Sequence, residues 1–292
     1  MSKVKYPKLC GALLSCAVVF LGGCKDVALL DPAGPIGAEQ RTLILTAAGL
    51  MLLVVIPVIV MAIVFAWRYR ASNKDATYTP EWSHSTKIET VVWVVPAIIV
   101  TALGVLVWHS SHKLDPFRPL DTGVKPIVVE AVSMNWKWLF IYPDHNVATV
   151  NQLVFPANTP VSLRITSDNI MNSFFIPQLG SQIYAMPGMR TQLHLLANVP
   201  GTYNGISSQY SGRGFSDMSF KAVAASPQEF EDWLRKTKQS PDALDLQKYR
   251  ELGEPSVKHP VEYFSSVKPN LFECILHKDM DKEVMADDCE EN

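Results

Sequence analysis

The residues best suited to hold a metal or move a proton are five cysteines, seven histidines and one carboxylate beside an apolar run. His109 and His112 stand at i and i+3, a spacing that lets two imidazoles share a metal. Cations closing a helix C-terminus give the same pattern and are the commoner cause. His194 falls inside an alternating run and reads as a structural histidine with its hydrogen bonds met. Cys274 and Cys289 lie in no Cys-x-x-Cys pair or Cys/His cluster, so a zinc site is not expected; a disulfide between them stays open. No Gly-x-Ser-x-Gly, phosphate-binding loop or His-Glu-x-x-His motif occurs, and no catalytic triad is proposed. Glu89, at the head of an apolar run, is a candidate proton carrier, because an ionisable group at a membrane boundary often serves a proton route. A carboxylate near a helix N-terminus is also favoured by the macrodipole, so both readings stand on the residues alone. Trp136-Lys137-Trp138 could be core, interface or electron conduit, and composition favours core.

The elements that must carry these residues follow from the distribution of apolar side chains. AVILMFWYC make up 48% of the 292 residues and charged residues 18%, with 26 Lys+Arg against 28 Asp+Glu for a net charge of −2. No basic run stands out, which argues against nucleic acid or a strongly acidic partner. Lys3, Lys5 and Lys8 precede an apolar stretch, 9–21, too short to cross a bilayer; residues 1–23 read as a secretory signal peptide. The stretch closes on Leu21-Gly22-Gly23-Cys24, which looks like the lipobox of bacterial lipoproteins and makes Cys24 the lipidated first residue of an exported segment, 24–41. Acyl burial there contributes roughly 0.8 kcal/mol per CH₂. Residues 42–66 and 88–109 are long and apolar enough to be transmembrane helices. The loop between them, 67–87, carries Arg68, Arg70, Lys74 and Lys87 and should be cytoplasmic.

From residue 125 the pattern changes to short β runs broken by Pro, Gly and Asn. They cover 127–132, 136–142, 161–165, 192–195 and 218–222, a series that indicates a sandwich or barrel over 125–225. At 226 the pattern turns helical. Ser226-Pro227-Gln228-Glu229 is a capping box, and Phe230, Trp233 and Leu234 share a face. The rest of the tail, to 292, reads as irregular and aromatic in places.

Two spans followed by an exported sandwich resemble subunit II of the haem–copper respiratory oxidases. The match is carried by Ser85-Thr86-Lys87-Ile88-Glu89-Thr90-Val91-Val92-Trp93-Val94-Val95-Pro96, by Met134-Asn135-Trp136-Lys137-Trp138, by Asn172-Ser173-Phe174-Phe175-Ile176-Pro177 and by Gly201-Thr202-Tyr203. It covers roughly residues 24 to 285. The fold it implies is a two-helix transmembrane hairpin, a cupredoxin-like β-sandwich, and a helical or irregular C-terminal tail. The family's cytochrome c oxidases hold a dinuclear copper centre in this domain, on a His before Ser-Phe and then Cys-x-x-x-Cys-x-x-x-His-x-x-Met. Here those positions are Asn172, Ser207, Ser211, Phe215 and Met218, and the acidic residue between the cysteines is Gln209. Soft thiolates and imidazoles are gone together, and serine hydroxyls do not bridge copper.

That pattern resembles the quinol oxidase branch, of the cytochrome bo type. The resemblance implies ubiquinol oxidation, O₂ reduction to water and proton translocation by a complex in the bacterial inner membrane. Its haems and copper lie in partner subunit I; this chain carries no cofactor and meets subunit I, further small membrane subunits and the bilayer, but no cytochrome c. Glu89 aligns with the acid at the mouth of a proton channel. Trp136 matches an aromatic electron-transfer position, and without copper a packing contact with subunit I is its expected role. A different reading is a membrane-anchored, cupredoxin-like binding lipoprotein outside any oxidase.

Overall fold

A computed structural model describes residues 27–77 and 79–278, so the expected signal peptide and Cys24 lie outside the described residues. The chain divides into two compact units, one of Glu39–Arg118 and one of the residues up to Ala38 together with those from Pro119 onward.

The first unit is built on two apolar helices, α1 (Pro35–Arg68) and α2 (Thr86–Lys113). At about 1.5 Å per residue their 34 and 28 residues exceed what a bilayer core of roughly 30 Å requires. Both overrun the apolar runs 42–66 and 88–109, because polar residues continue the helices past the hydrophobic windows. Glu39 and Lys113, in those extensions, meet at 2.5 Å and tie the start of α1 to the end of α2. The apolar windows of both helices are left uncovered by the rest of the chain. Thr90, Thr101 and Ser111 return their hydroxyls to carbonyls four residues earlier, which leaves no polar group facing out unsatisfied at those positions.

The second unit is a two-sheet sandwich. Its strands are β1 (Ile127–Met134), β2 (Lys137–Tyr142), β3 (Val147–Val150), β4 (Gln152–Pro156), β5 (Val161–Ser167) and β6 (Asn172–Phe175). Then follow β7 (Gln182–Ala185), β8 (Thr191–Leu195), β9 (Gly201–Ser207), β10 (Ser219–Ala225) and β11 (Glu262–Phe264). One sheet runs β11-β3-β2-β1-β5-β8 and the other β4-β10-β9-β6-β7. β1 pairs parallel to β5 and β10 parallel to β4, and the remaining pairs are antiparallel. Between the sheets sit Trp138, Phe140, Phe174 and Phe220. Phe174 and Phe220 stack at 5.0 Å, and Trp138 stands edge-on to Phe174 at 5.3 Å. Gly205 makes room for this cluster: a Cβ there would lie 2.0 Å from the Phe220 ring.

The tail is more ordered than its sequence suggests. Beyond α3 (Pro227–Thr237) it forms α4 (Leu246–Gly253), β11 and α5 (Leu271–His277). Leu244, Leu252, Phe264, Leu271, Phe272 and Ile275 pack on Val132, Met134, Leu139, Ile141, Ala148 and Val150, the outer face of the larger sheet. Helices this short are marginal alone, so tertiary packing makes them, and two turns of periodic residues are too few to announce them in the sequence. Lys137, 1% exposed, donates to the carbonyls of Leu252 (2.7 Å) and Glu254 (2.9 Å), placing its charge at the C-terminus of α4. Burial pulls its pKa down.

Two local expectations hold and three are corrected. The capping box forms, with Glu229 N–H donating to Ser226 Oγ (3.3 Å) and Ser226 N–H to Glu229 Oε2 (2.8 Å). Phe230 and Leu234 are buried, and Trp233 stacks on Phe230. Trp136, expected in a strand, instead sits in the turn before β2, and Met218 precedes β10 rather than opening it. His194 is buried, but its Nε2 has no hydrogen-bond partner, so its hydrogen bonds are not all met. Residues 33–37 also join the sandwich: Ala33 N–H donates to Gln178 O, Gly37 N–H to Leu179 O and Asn198 N–H to Ala33 O.

Burial pushes the pKa of both His194 and His259 below the ordinary imidazole value; for His259 the nearby Lys137 ammonium adds to the shift. The folded state therefore binds fewer protons than the unfolded chain, so stability rises with pH in that window and is lost as pH falls below about 6.5. The thermal midpoint of the purified protein should drop on acidification from about pH 7.5 to about 5.5, with a smaller drop in His194→Leu. Equal pH slopes in the two proteins, followed by differential scanning, would contradict this account.

Candidate functional site

Of the positions that the resemblance marks as copper ligands, Asn172, Ser207, Ser211 and Met218 come together at one end of the sandwich. Asn172 opens β6, Ser207 closes β9, and the loop 208–218 carries the others. Pairing of Phe174 with Ser207 sets the two strands side by side. Ser207 Oγ donates to Asn172 Oδ1 at 2.9 Å, and Asn172 Nδ2 donates to Ile170 O at 3.0 Å. Ser208 N–H reaches Ser173 O at 3.0 Å and Ser207 N–H reaches Met218 O at 3.2 Å, which hold the loop against both strands. Ser211 Oγ lies 4.0 Å from Met218 Sδ. Asn172, Ser207, Ser211 and Met218 are buried together. The Gln209 carbonyl approaches Ser207 Oγ at 3.5 Å. Phe215 stands apart, half-buried, with its ring edge-on to the exposed Tyr210.

This donor set does not fit a dinuclear copper centre. It offers amide and hydroxyl oxygens and one thioether, with neither thiolate nor imidazole. The polar atoms are also already committed: the Ser207 hydroxyl proton is spent on Asn172. Chemically the site is a neutral hydrogen-bonded clasp between β6, β9 and their loop.

Trp136 closes the clasp from the side. Met134 pairs with Lys137, so Asn135 and Trp136 form a two-residue turn, and Trp136 adopts φ 62°. A bulky side chain in that region costs about 1–3 kcal/mol unless its surroundings hold it. Here the indole Nε1 donates to Ser211 O at 2.9 Å and the ring lies over two glycines. A Cβ on Gly214 would come within 2.4 Å of the ring, and Gly212 has φ +104° with Trp136 as its nearest neighbour. Trp136 is thus half-buried on the rim of the site, while Trp138 takes the core position.

The aromatic tail supports that turn. Asn135 Nδ2 donates to Gly253 O (2.6 Å), and Asn169 Nδ2 to Asn135 Oδ1 (3.0 Å). Next to Asn169, the buried Asp168 carboxylate accepts from Tyr249 and, at 2.7 Å, from Lys278. Burial and the Asp168 charge push the Tyr249 phenol far up. Sequence reasoning missed Gly212, Gly214, Asp168 and Tyr249; the Gly-Arg-Gly segment was the one signal that could have pointed to the ring packed on it.

Glu89 belongs to the other unit. It lies in the first turn of α2, where its N–H donates to Ser85 O at 3.0 Å. Its carboxylate sits 3.0 Å from His84 Nδ1, and His84 Nε2 is 3.4 Å from Thr86 Oγ1; both side chains are more than half exposed. His84 was not singled out from the sequence, because its five-residue offset crosses a helix start and follows no helical spacing. His112 Nδ1 bonds Trp108 O at 2.8 Å and its ring packs on Trp108. Among the described residues no group of three or more His, Cys, Asp or Glu could hold a metal ion.

Comparison with known proteins gives consistent matches. Residues 145–225 match the family model described as cytochrome c oxidase subunit II, periplasmic domain, and residues 238–283 match the COX aromatic rich motif. The chain is 58% identical over 278 residues to the cytochrome bo(3) ubiquinol oxidase subunit 2 of Pseudomonas putida, covering 95% of this chain and 88% of that protein. It is 52% identical over 264 residues to the ubiquinol oxidase subunit 2 of Acetobacter aceti, covering 90% and 85%. The crystal structure of the periplasmic domain of subunit II of a Bradyrhizobium japonicum cytochrome oxidase aligns with 38% of this chain and 91% of that chain, at 21% identity and a TM-score of 0.37.

Two substitutions test the clasp. Asn172→Ala should lower the stability of the purified protein by about 1–3 kcal/mol, the cost of leaving the buried Ser207 hydroxyl unpaired, and Ser207→Ala should add little on top of it. Gly214→Ala should cost about 1–3 kcal/mol by overpacking against Trp136, and this cost should shrink in a Trp136→Ala background. Urea unfolding of the single and double variants measures both couplings, and full additivity in either cycle would refute the corresponding contact.

Proposed function

The chain belongs to the cytochrome bo(3) ubiquinol oxidase subunit 2 family, and from that premise we propose that it serves a proton-translocating ubiquinol oxidase as a subunit without redox metal of its own. The observation that carries this reading is the Asn172–Ser207 hydrogen bond, which occupies the place where the family's cytochrome c oxidases need thiolate and imidazole. A soluble donor protein requires an exported metal port; a quinol reaches the complex within the bilayer and does not. On this reading ubiquinol oxidation and O₂ reduction run on haems and copper held by subunit I, and this chain holds no complete catalytic site. It contributes assembly, a packing surface that includes Trp136, and a proton uptake point at Glu89.

The membrane arrangement supports the same assignment. Two helices long and apolar enough to cross a bilayer precede a domain whose family is described as periplasmic. The proposed order is a signal peptide over 1–23, a lipidated exported N-terminus over 24–41 with acyl chains on Cys24, spans within α1 and α2, and a cytoplasmic loop between them. A cupredoxin-like domain over 125–225 and the aromatic tail, 226–292, then face the periplasmic side of the inner membrane. The Glu39–Lys113 pair suits this topology, since it joins the two helix ends expected on the same side. Glu89 then lies at the cytoplasmic end of α2, with His84 beside its carboxylate, a position from which protons can be collected.

Purification in mild detergent, followed by identification of co-purifying chains and haem types, tests the subunit assignment. Recovery of the chain alone, without haem-bearing partners, would favour a free-standing binding lipoprotein instead. Glu89→Ala should slow proton-coupled turnover of the purified complex while haem content and assembly stay normal; unchanged turnover and pumping would remove the proton role. Cys24→Ser should abolish acylation yet leave the protein in the membrane, because the two spans remain; a soluble exported product would contradict the topology.

A further inference from the structure

Three successive carbonyls at the C-terminus of α4, those of Leu252, Gly253 and Glu254, are taken by the two residues that flank Trp136. Lys137 Nζ donates to Leu252 O at 2.7 Å and to Glu254 O at 2.9 Å, and Asn135 Nδ2 donates to Gly253 O at 2.6 Å. Carbonyls at a helix end lack intrahelical partners, and a cation there is favoured by the helix dipole. The end of α4 therefore holds both shoulders of a turn in which Trp136 keeps φ 62°.

The chain that leaves α4 turns back onto the same strand through His259. Its carbonyl accepts from Asn151 Nδ2 at 2.8 Å, while Asn151 Oδ1 accepts from Trp138 N–H at 2.9 Å. Its side chain, 15% exposed, lies between Ser256 Oγ (3.0 Å from Nδ1) and Glu262 Oε1 (2.8 Å from Nε2). A neutral ring satisfies both: Nε2–H donates to the carboxylate and Nδ1 accepts from the hydroxyl. The charged groups that act on it are Lys137 of β2, Glu262 of β11 and Lys248 of α4. Burial and the Lys137 ammonium hold its pKa below the ordinary imidazole value, against the pull of Glu262. That carboxylate is already shared, since Lys248 Nζ lies 3.8 Å from its second oxygen. A proton on His259 adds a third cation to Lys137 and Lys248, with Glu262 and, near Lys137, Glu254 to balance them.

We infer that the tail is a proton-released clamp on the Trp136 turn, in which Lys137 grips the end of α4 and His259 is the trigger. Above about pH 6.5 the ring is neutral and the clamp is closed. As pH falls below that value the opened segment binds the proton more readily than the closed one, so closure weakens. Opening frees Asn135 and Lys137, and Trp136 loses the support that keeps its backbone in a costly region. The hold of its indole on Ser211 O, Gly212 and Gly214 loosens with it. The clamp is a property of this chain; its use rests on the function proposed above. There Trp136 packs on a partner subunit, on the side to which a proton-translocating complex releases its protons. Acid accumulating on that side relaxes the contact.

Hydrogen–deuterium exchange of the full chain, as purified in mild detergent, tests the clamp between about pH 7.5 and about pH 5.5, with rates corrected for their intrinsic pH dependence. Protection over 252–264 should fall several-fold on acidification, and protection over 134–138 and 208–214 should fall with the same midpoint. His259→Gln, whose amide serves both Ser256 and Glu262 without titrating, should remove the fall. Lys137→Met should move the midpoint up towards about pH 6.5, and Lys248→Met, at a partly exposed position, should move it the same way by less. The same acid response in His259→Gln as in the parent would overturn the trigger. Opening of 252–264 with 134–138 still protected would overturn the clamp, and an unmoved midpoint in both lysine variants would overturn their coupling to His259. Exchange reads the clamp whether or not haem-bearing chains co-purify, so its failure and that of the subunit assignment are told apart.

Discussion

Three adjacent strands of this protein, Ile127–Met134, Lys137–Tyr142 and Val147–Val150, are covered on both faces, and the rest of the sandwich unit depends on that constraint. One face meets the aromatic cluster between the sheets; the other meets the tail. A strand buried on both sides loses the alternation that marks a half-exposed sheet, and it requires a separate segment to supply the second layer. The tail supplies it, over a hundred residues later in the chain. It is held by polar anchors at its margins as well as by apolar contact: Lys137 on the end of α4, Asn135 on Gly253, and Asp168 on Tyr249 and Lys278.

Those same anchors surround the turn at Asn135–Trp136, which links packing to the site. The turn holds Trp136 in a strained backbone region, and its indole pins the loop between β9 and β10 through Ser211 and two glycines. The same loop is fastened to β6 by hydrogen bonds between Asn172, Ser207 and neighbouring backbone. Each such bond contributes about 1 kcal/mol, so the clasp relies on burial and on Trp136 as well.

Much of this was legible in the sequence, and what was not shares a cause. The two long apolar helices, the sandwich and the capping box at Ser226 follow from local pattern and residue type, whereas Asn172, Ser207, Ser211 and Phe215 were marked only by the family resemblance. The ordered tail, the turn position of Trp136 and the orphaned Nε2 of His194 do not. Leu246, Tyr249 and Leu252, and Leu271, Phe272, Ile275 and Leu276, do follow a helical period, but over only two turns each, too short for local pattern to fix a helix without the sheet they pack on. His84 escaped notice for a similar reason, since its approach to Glu89 depends on how the chain bends into α2.

The side-chain chemistry at each position was determined by the sequence alone: an acid at the head of the second span, serines where thiolates would be needed, and a cysteine count that leaves two for the tail. Tertiary structure decided what those residues touch. It turned the serines inward onto an amide, laid an indole over two glycines and spread a short-helix tail across a sheet. The physical reason is range. Donor type and hydrophobic period are properties of a residue and its near neighbours, whereas burial of a second face is settled by segments distant in the chain.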